Sequence, residues 1–140
     1  MMPDLRIDVK ANIAFLENAP NEIKEGLTEC AYRGALVGAS LAKEGIRLGR
    51  PEWPQLKPAT IERKGHARIL FDKGRLYASI GASKGQSIGT ASYGTDVQYA
   101  ACHEFGEGVP RRSFLAPTTK GKELDDIVSA VRSEFKKIFD

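Results

Sequence analysis

The chain opens on an alternation. In LRIDVK, Leu5, Ile7 and Val9 alternate with Arg6, Asp8 and Lys10, and a period of two predicts a half-buried strand. The next stretch, ANIAFLENAP, fits either a short helix or a return to the following element. From Asn18 the period lengthens. Ile23, Leu27, Cys30, Ala31, Gly34, Val37, Leu41, Gly45 and Leu48 recur three or four positions apart, which predicts one long amphipathic helix over Asn18–Leu48. Asn18 is placed to cap it and Pro20 suits its first turn. Gly34, Gly38 and Gly45 each weaken a helix by roughly 1 kcal/mol relative to alanine. Tertiary packing must return that energy, and glycines on such a face let another backbone come close. Gly49 and Pro51 end the helix.

Residues 49–75 read as a loop punctuated by Pro51, Pro54 and Pro58. A loop of this length in a compact domain is functional or mobile. It holds the sole tryptophan. Either Trp53 and Leu56 tuck onto the core and pin the loop, or they form a partner-binding edge. Thr60, Arg63 and Lys64 suggest a short basic helix, and Asp72 a cap for a turn in KGRLYASI. The Ser/Gly-rich YASIGASKGQSIGTASYG alternates enough to predict a hairpin, with strands near Tyr77–Ala82 and Gln86–Ser92 around a turn at Ser83–Gly85. After Gly94 a short helix is expected, with Asp96 at its start and Val97, Ala101 and Phe105 on its inner face beside Cys102. VPRRSFLAP reads as extended, because Pro110 and Pro117 exclude a helix across it. Val109, Phe114 and Leu115 would anchor it. A last helix from Thr118 or Thr119 to Phe139 carries an apolar face of Leu124, Ile127, Val128, Val131, Phe135 and Ile138.

Composition narrows the function classes. The 140 residues, 41% hydrophobic and 28% charged, suit one globular domain over residues 1–140 with a core of its own. No long apolar run predicts a membrane span. The N-terminus lacks a basic-then-apolar leader, so the chain is expected to stay in the cytosol. In that reducing compartment Cys30 and Cys102 are expected as free thiols. The net charge of +3 and pI near 8.9 are a weak basic bias, since Lys and Arg are interleaved with Asp and Glu nearly everywhere. The densest basic stretches are Arg63 to Arg68 and PRRS.

The stretch YAACHEFG sets a cysteine, a histidine and a glutamate side by side. On a regular helix consecutive residues point about 100° apart, so Cys102, His103 and Glu104 cannot converge on one atom. A metal site needs further ligands at matched spacing, and the only other histidine is His66. A Cys–His nucleophile needs an accessible thiolate, which a core-side Cys102 opposes. No phosphate-loop motif occurs, and no cofactor is expected. Asp125 and Asp126, at the start of the last helix, suit its dipole rather than acid–base work. Arg63, Lys64, His66 and Arg68 could contact phosphates or form a solvated loop.

Three motifs in order, WPQLKPATIERKG, ILFDKGRLYASI and YAACHEFGEGVPRRSFLAP, resemble the tail-completion and virion-morphogenesis proteins of tailed bacteriophages. Trp53, Leu56, Thr60, Gly74, Leu76, Ser79, Ile80, Tyr99, Ala100, His103, Glu104, Phe105, Gly106, Pro110, Arg112, Phe114 and Leu115 carry the likeness, over roughly Trp53 to Pro117. The resemblance implies an α+β fold: a small, mostly antiparallel sheet packed against one long helix and a C-terminal helix, with a long proline-containing loop. It implies a non-enzymatic structural protein of the neck or tail end, made in the host bacterial cytoplasm. Such a protein forms a homo-oligomeric ring and meets tail-tube or head-connector proteins, without membrane or nucleic-acid partners. Minor tail proteins share the look, and a nucleic-acid contact through the basic loop is the alternative; a Cys/His enzyme is a weaker one. A ring needs a heterologous contact, and proline-stiffened segments lose little entropy on docking. On that ground Arg111, Arg112 and Phe114 are expected at a subunit or partner contact, with Phe114 alternatively a core anchor. Glu104 and Glu107 are candidate partners for the arginines. Trp53, Leu56, Arg63 and Lys64 form a second candidate surface.

Overall fold

In the computed structural model, which describes residues 4–8, 18–67, 69–70 and 74–139, the opening alternation forms strand β1 (Asp4–Asp8). Ile7 turns toward the core and Arg6 is exposed. Val9 and the ambiguous stretch up to Leu16 and Glu17 lie outside the described residues. The long helix α1 spans Asn21–Leu48. It starts three residues later than its pattern suggested, with Pro20 rather than Asn18 at its N-cap, and Gly49 closes it at φ 76°.

Most of the buried side of α1 is small, Gly26, Ala31, Gly34, Ala35, Gly38, Ala39 and Ala42, with Leu27, Cys30 and Ile46 beside them. The small residues thin the helix so that large groups seat against it. Those groups are side chains, not the backbone that the glycine pattern suggested. A Cβ on Gly38 would stand 2.5 Å from Tyr93 Cε1, and one on Gly26 would stand 2.8 Å from Phe139 Cζ.

After α1 the loop carries helix α2 (Pro58–Lys64), with Pro58 in its first turn and Gly65 as a left-handed cap. Helix α3 (Arg75–Ser79) follows; Asp72 is outside the described residues. Strands β2 (Gly81–Lys84) and β3 (Thr90–Gly94) form the expected hairpin, shifted about four residues along the chain. Tyr77–Ser79 are helical rather than extended. The sheet is antiparallel in the order β1–β3–β2, with Ile7 opposite Ala91 and Ala82 opposite Tyr93. Its apolar face lies on α1. Tyr93 is the key: its ring fills the groove at Gly38, and its hydroxyl pairs with buried Thr118 Oγ1 at 2.6 Å.

Helix α4 (Ala100–Phe105) corrects the expected inner face. Ala100 and Glu104 are buried, whereas Phe105 is 50% exposed and Ala101 and Cys102 are half-buried. Thr95, not Asp96, caps the turn before it, accepting from Val97 N–H at 3.1 Å. Beyond Ser113 the chain does not stay extended. Ala116–Thr119 makes a 3-10 turn with Pro117 in its first turn, where a missing N–H costs nothing. Gly121, at φ 63°, opens the last helix α5 (Gly121–Phe139).

The result is an α+β fold, a small antiparallel sheet packed on long helices. Helix α5 packs on α1 and on the 3-10 turn, with Ile127 and Val131 against Gly34. Of its apolar face only Ile127 is fully buried. Leu124, Val128, Phe135 and Ile138 remain 37–44% exposed.

Candidate partner-binding cleft

The YAACHEFG and PRRSFLAP motifs meet through one carboxylate. Glu104 is 3% exposed. Its Oε1 accepts the backbone N–H groups of Phe114 (3.0 Å) and Leu115 (2.8 Å). Its Oε2 accepts Ala116 N–H at 3.2 Å and the Ser113 hydroxyl. These donors match a charged acceptor, so burial of the carboxylate is compensated. Glu104 was expected as a partner for the arginines. It binds backbone instead, and Arg111 reaches only its main chain, Nε donating to Glu104 O at 3.1 Å. Gly106, at φ 76°, makes the turn that lets Arg111 pass; a Cβ there would stand 2.9 Å from Arg111 Cβ.

The second tie joins the loop to the same segment. Trp53 is buried and its Nε1 donates to Ser113 O at 3.0 Å. Arg112 is buried too. Its Nε donates to Pro54 O at 2.8 Å and its Nη2 to Gln55 O at 3.1 Å, while its own N–H donates to His103 O at 2.9 Å. A guanidinium suits this role because it has donors enough for two carbonyls in one plane. Burial pulls Arg112 below its ordinary pKa, and it stays charged. Phe114 is fully buried, a burial worth roughly 2–3 kcal/mol.

Of the seven expected contact residues, Trp53, Arg112 and Phe114 are therefore interior members of the subunit. Phe114 is the core anchor of its two readings. Trp53 and Phe114 are used within the fold, and Arg112 is held there through Nε and Nη2, so a partner meets the surface they hold in place. Arg111 is exposed. Leu56, Arg63, Lys64 and Arg112 come together in the lining of one cleft of about 640 Å³.

The cleft runs between α2, the start of α3, α4 and Gly108–Pro110. Lys57, Arg63, Lys64, Arg75 and Arg112 line it, and among the described residues no Asp or Glu does. Leu56, Leu70, Leu76 and Val109 supply apolar wall. His103 also faces it. Burial first, then the charges of Arg112 and Lys64, hold its imidazole below the ordinary value, so it is neutral near pH 7. Its Nδ1 is buried without a hydrogen-bond partner, and Tyr99 packs edge-on against the ring at 6.0 Å. Leu70 sits at φ 60°, a left-handed conformation costing a non-glycine residue roughly 1–2 kcal/mol.

Sequence reasoning missed Lys57, Arg75, Tyr99, His103 and Val109 as members of one site. They are dispersed over about fifty positions, and local spacing links only Tyr99 and His103, one helical turn apart. Among the described residues no group of three His, Cys, Asp or Glu side chains is arranged to hold a metal ion. Cys30 and Cys102 are free thiols, Cys30 buried and Cys102 half-buried rather than on the core side. Comparison with protein-family models, curated proteins and solved structures finds no match to the chain.

Proposed function

We propose that this chain is a structural protein of a tailed-phage virion, acting in tail completion or head–tail joining through ring-forming protein contacts. The observation that carries the reading is a pair of unlike apolar surfaces on one subunit. One is the outer stripe of α5, with Leu124, Val128 and Phe135 exposed; the other is the wall beside α4, where Tyr99 and Val109 are exposed together. Grouped exposed apolar side chains mark contact surfaces. Two different ones on the same subunit suit a heterologous contact, the kind that closes a ring. The motif residues support the same reading, since Glu104, Arg112 and Trp53 brace a surface and leave its contacts to exposed neighbours.

The test is deletion of the gene from the phage or prophage that encodes it, followed by negative-stain microscopy of the lysate. Unjoined heads and tails, restored to whole particles by the gene in trans, are the expected result. Intact infectious particles at the normal yield would refute the proposal.

A further inference from the structure

We infer that the free subunit forms a two-fold dimer by pairing the outer stripe of α5 antiparallel with the same stripe of a second copy. This goes beyond the virion reading and does not rest on it. The spacing is the first ground. Leu124, Val128, Val131, Phe135 and Ile138 follow one another at intervals of four, three, four and three, the spacing of a seam along which two helices pack side by side. The inner edge of the seam is used within the subunit, where Val131 and Ile138 reach Gly34 and Gly26. Leu124, Val128 and Phe135 form the outer edge and are 38–44% exposed. From Leu124 to Phe135 the seam runs about 16 Å, which puts the contact at the small end of specific interfaces and makes the dimer a weak, reversible one.

The charges decide the occupant and its direction. On α5, Asp126 pairs with Lys122, Glu123 with Arg50 and Glu134 with Arg33. Asp125 and Arg132 are exposed and have no ion-pair partner among the described residues. Seven positions apart, they lie two turns from each other on one flank of the seam. Laid antiparallel with Leu124 level with Phe135 of the second copy, Val128 comes level with Val131. Asp125 of each copy then meets Arg132 of the other, twice in one dimer. A parallel pairing puts the two flanks on opposite sides of the seam, where these charges cannot meet. A lipid surface is a poorer occupant: it favours a helix whose polar face is rich in Lys and Arg, and α5 carries four basic residues against four acidic ones. The stripe is also one of the two surfaces given to the ring contact, so dimer and ring exclude each other, and the dimer is the state of the subunit before assembly.

The test is sedimentation velocity of the full-length protein between about 5 and 300 μM. A reversible monomer–dimer equilibrium is expected, with no larger species. Asp125→Arg or Arg132→Asp alone should weaken the dimer about fivefold or more, since each sets like charges together at two places. The double variant Asp125→Arg, Arg132→Asp restores both pairs and should return the affinity to within about twofold of wild type. Lys137→Glu, at an exposed position on the opposite side of α5, matches Arg132→Asp in net charge and should change nothing. A protein that stays monomeric at every concentration overturns the inference, whether or not it sediments with vesicles of phosphatidylserine and phosphatidylcholine. So does association that the double variant fails to restore, which would mark a contact between unlike surfaces. A monomer with heads and tails still unjoined discards the dimer alone, whereas a dimer with normal particles discards the virion role alone.

Discussion

Replacing Glu104 by glutamine keeps the shape of the buried side chain and removes its charge. In the wild type, Oε1 accepts two backbone N–H groups, from Phe114 and Leu115, and Oε2 accepts Ala116 N–H and the Ser113 hydroxyl. The amide of Glu104→Gln settles with its oxygen at the Oε1 position, because the opposite orientation would face two N–H donors with a third. Its NH₂ then confronts Ala116 N–H, while the Ser113 hydroxyl turns to accept. One largely enclosed backbone donor is left unsatisfied, at about 1–3 kcal/mol. The two retained bonds lose their charge assistance, worth about 1 kcal/mol more. The sum, about 2–4 kcal/mol, is a large part of the 5–15 kcal/mol typical of a domain. With a urea m value of roughly 2 kcal/mol/M, the midpoint should fall by about 1–2 M. Glu107→Gln, at an exposed position on the same turn, should move it by less than about 0.3 M. Equal midpoints for Glu104→Gln and wild type, at unchanged m, would refute the reasoning, since they would mean that the carboxylate does not hold the segment in solution.

Four further outcomes are expected. Gly38→Ala should destabilise by at least about 2 kcal/mol through overpacking, because its Cβ would enter the space of the Tyr93 ring; Gly81→Ala, where a Cβ meets nothing within 4 Å, should be neutral or mildly stabilising in the same urea series. Arg112→Lys should lose at least one of its two carbonyl bonds, lowering stability by about 1–2 kcal/mol, seen as a lower melting temperature. His103 has a folded pKa below its unfolded one, so the unfolded chain takes up a proton first. Its contribution is complete above the unfolded value and is lost as pH falls toward the lower folded one, and urea midpoints at pH 7.5 and 5 should fall less for His103→Phe than for wild type. Leu124→Glu with Val128→Glu, on the exposed stripe of α5, should lower self-association in sedimentation velocity while the urea midpoint stays within about 0.5 M.

The parts of this fold that could be read from the sequence are those with local causes. Helix α1 shows its period over many turns and is punctuated by Pro20 and Gly49. The hairpin was visible as alternation, but its register was not. With Gly, Ala and Ser at most positions, nothing local decides where pairing starts, and the docking of Tyr93 on Gly38 decides it instead. Helix α4 is too short for its period to choose a face. Ala101 and Phe105 share the spacing of Ala100 and Glu104, and hydrophobicity favoured the wrong pair. The donors that turn Glu104 inward come from Ser113 to Ala116, about ten positions away. Arg111 and Arg112 are adjacent and chemically alike, yet one is exposed and the other is buried on the carbonyls of Pro54 and Gln55. That partition depends on where the proline loop lands, which no spacing in PRRS encodes.

The lone indole gives this molecule a built-in optical gauge. Trp53 touches the 113–116 strap across 60 positions of chain, beside the cleft to which Gln55 and Leu56 belong. Its emission colour therefore reports whether the proline loop is seated, without any attached dye. Seating, release and occupancy of the neighbouring hollow all become visible in the unmodified polypeptide.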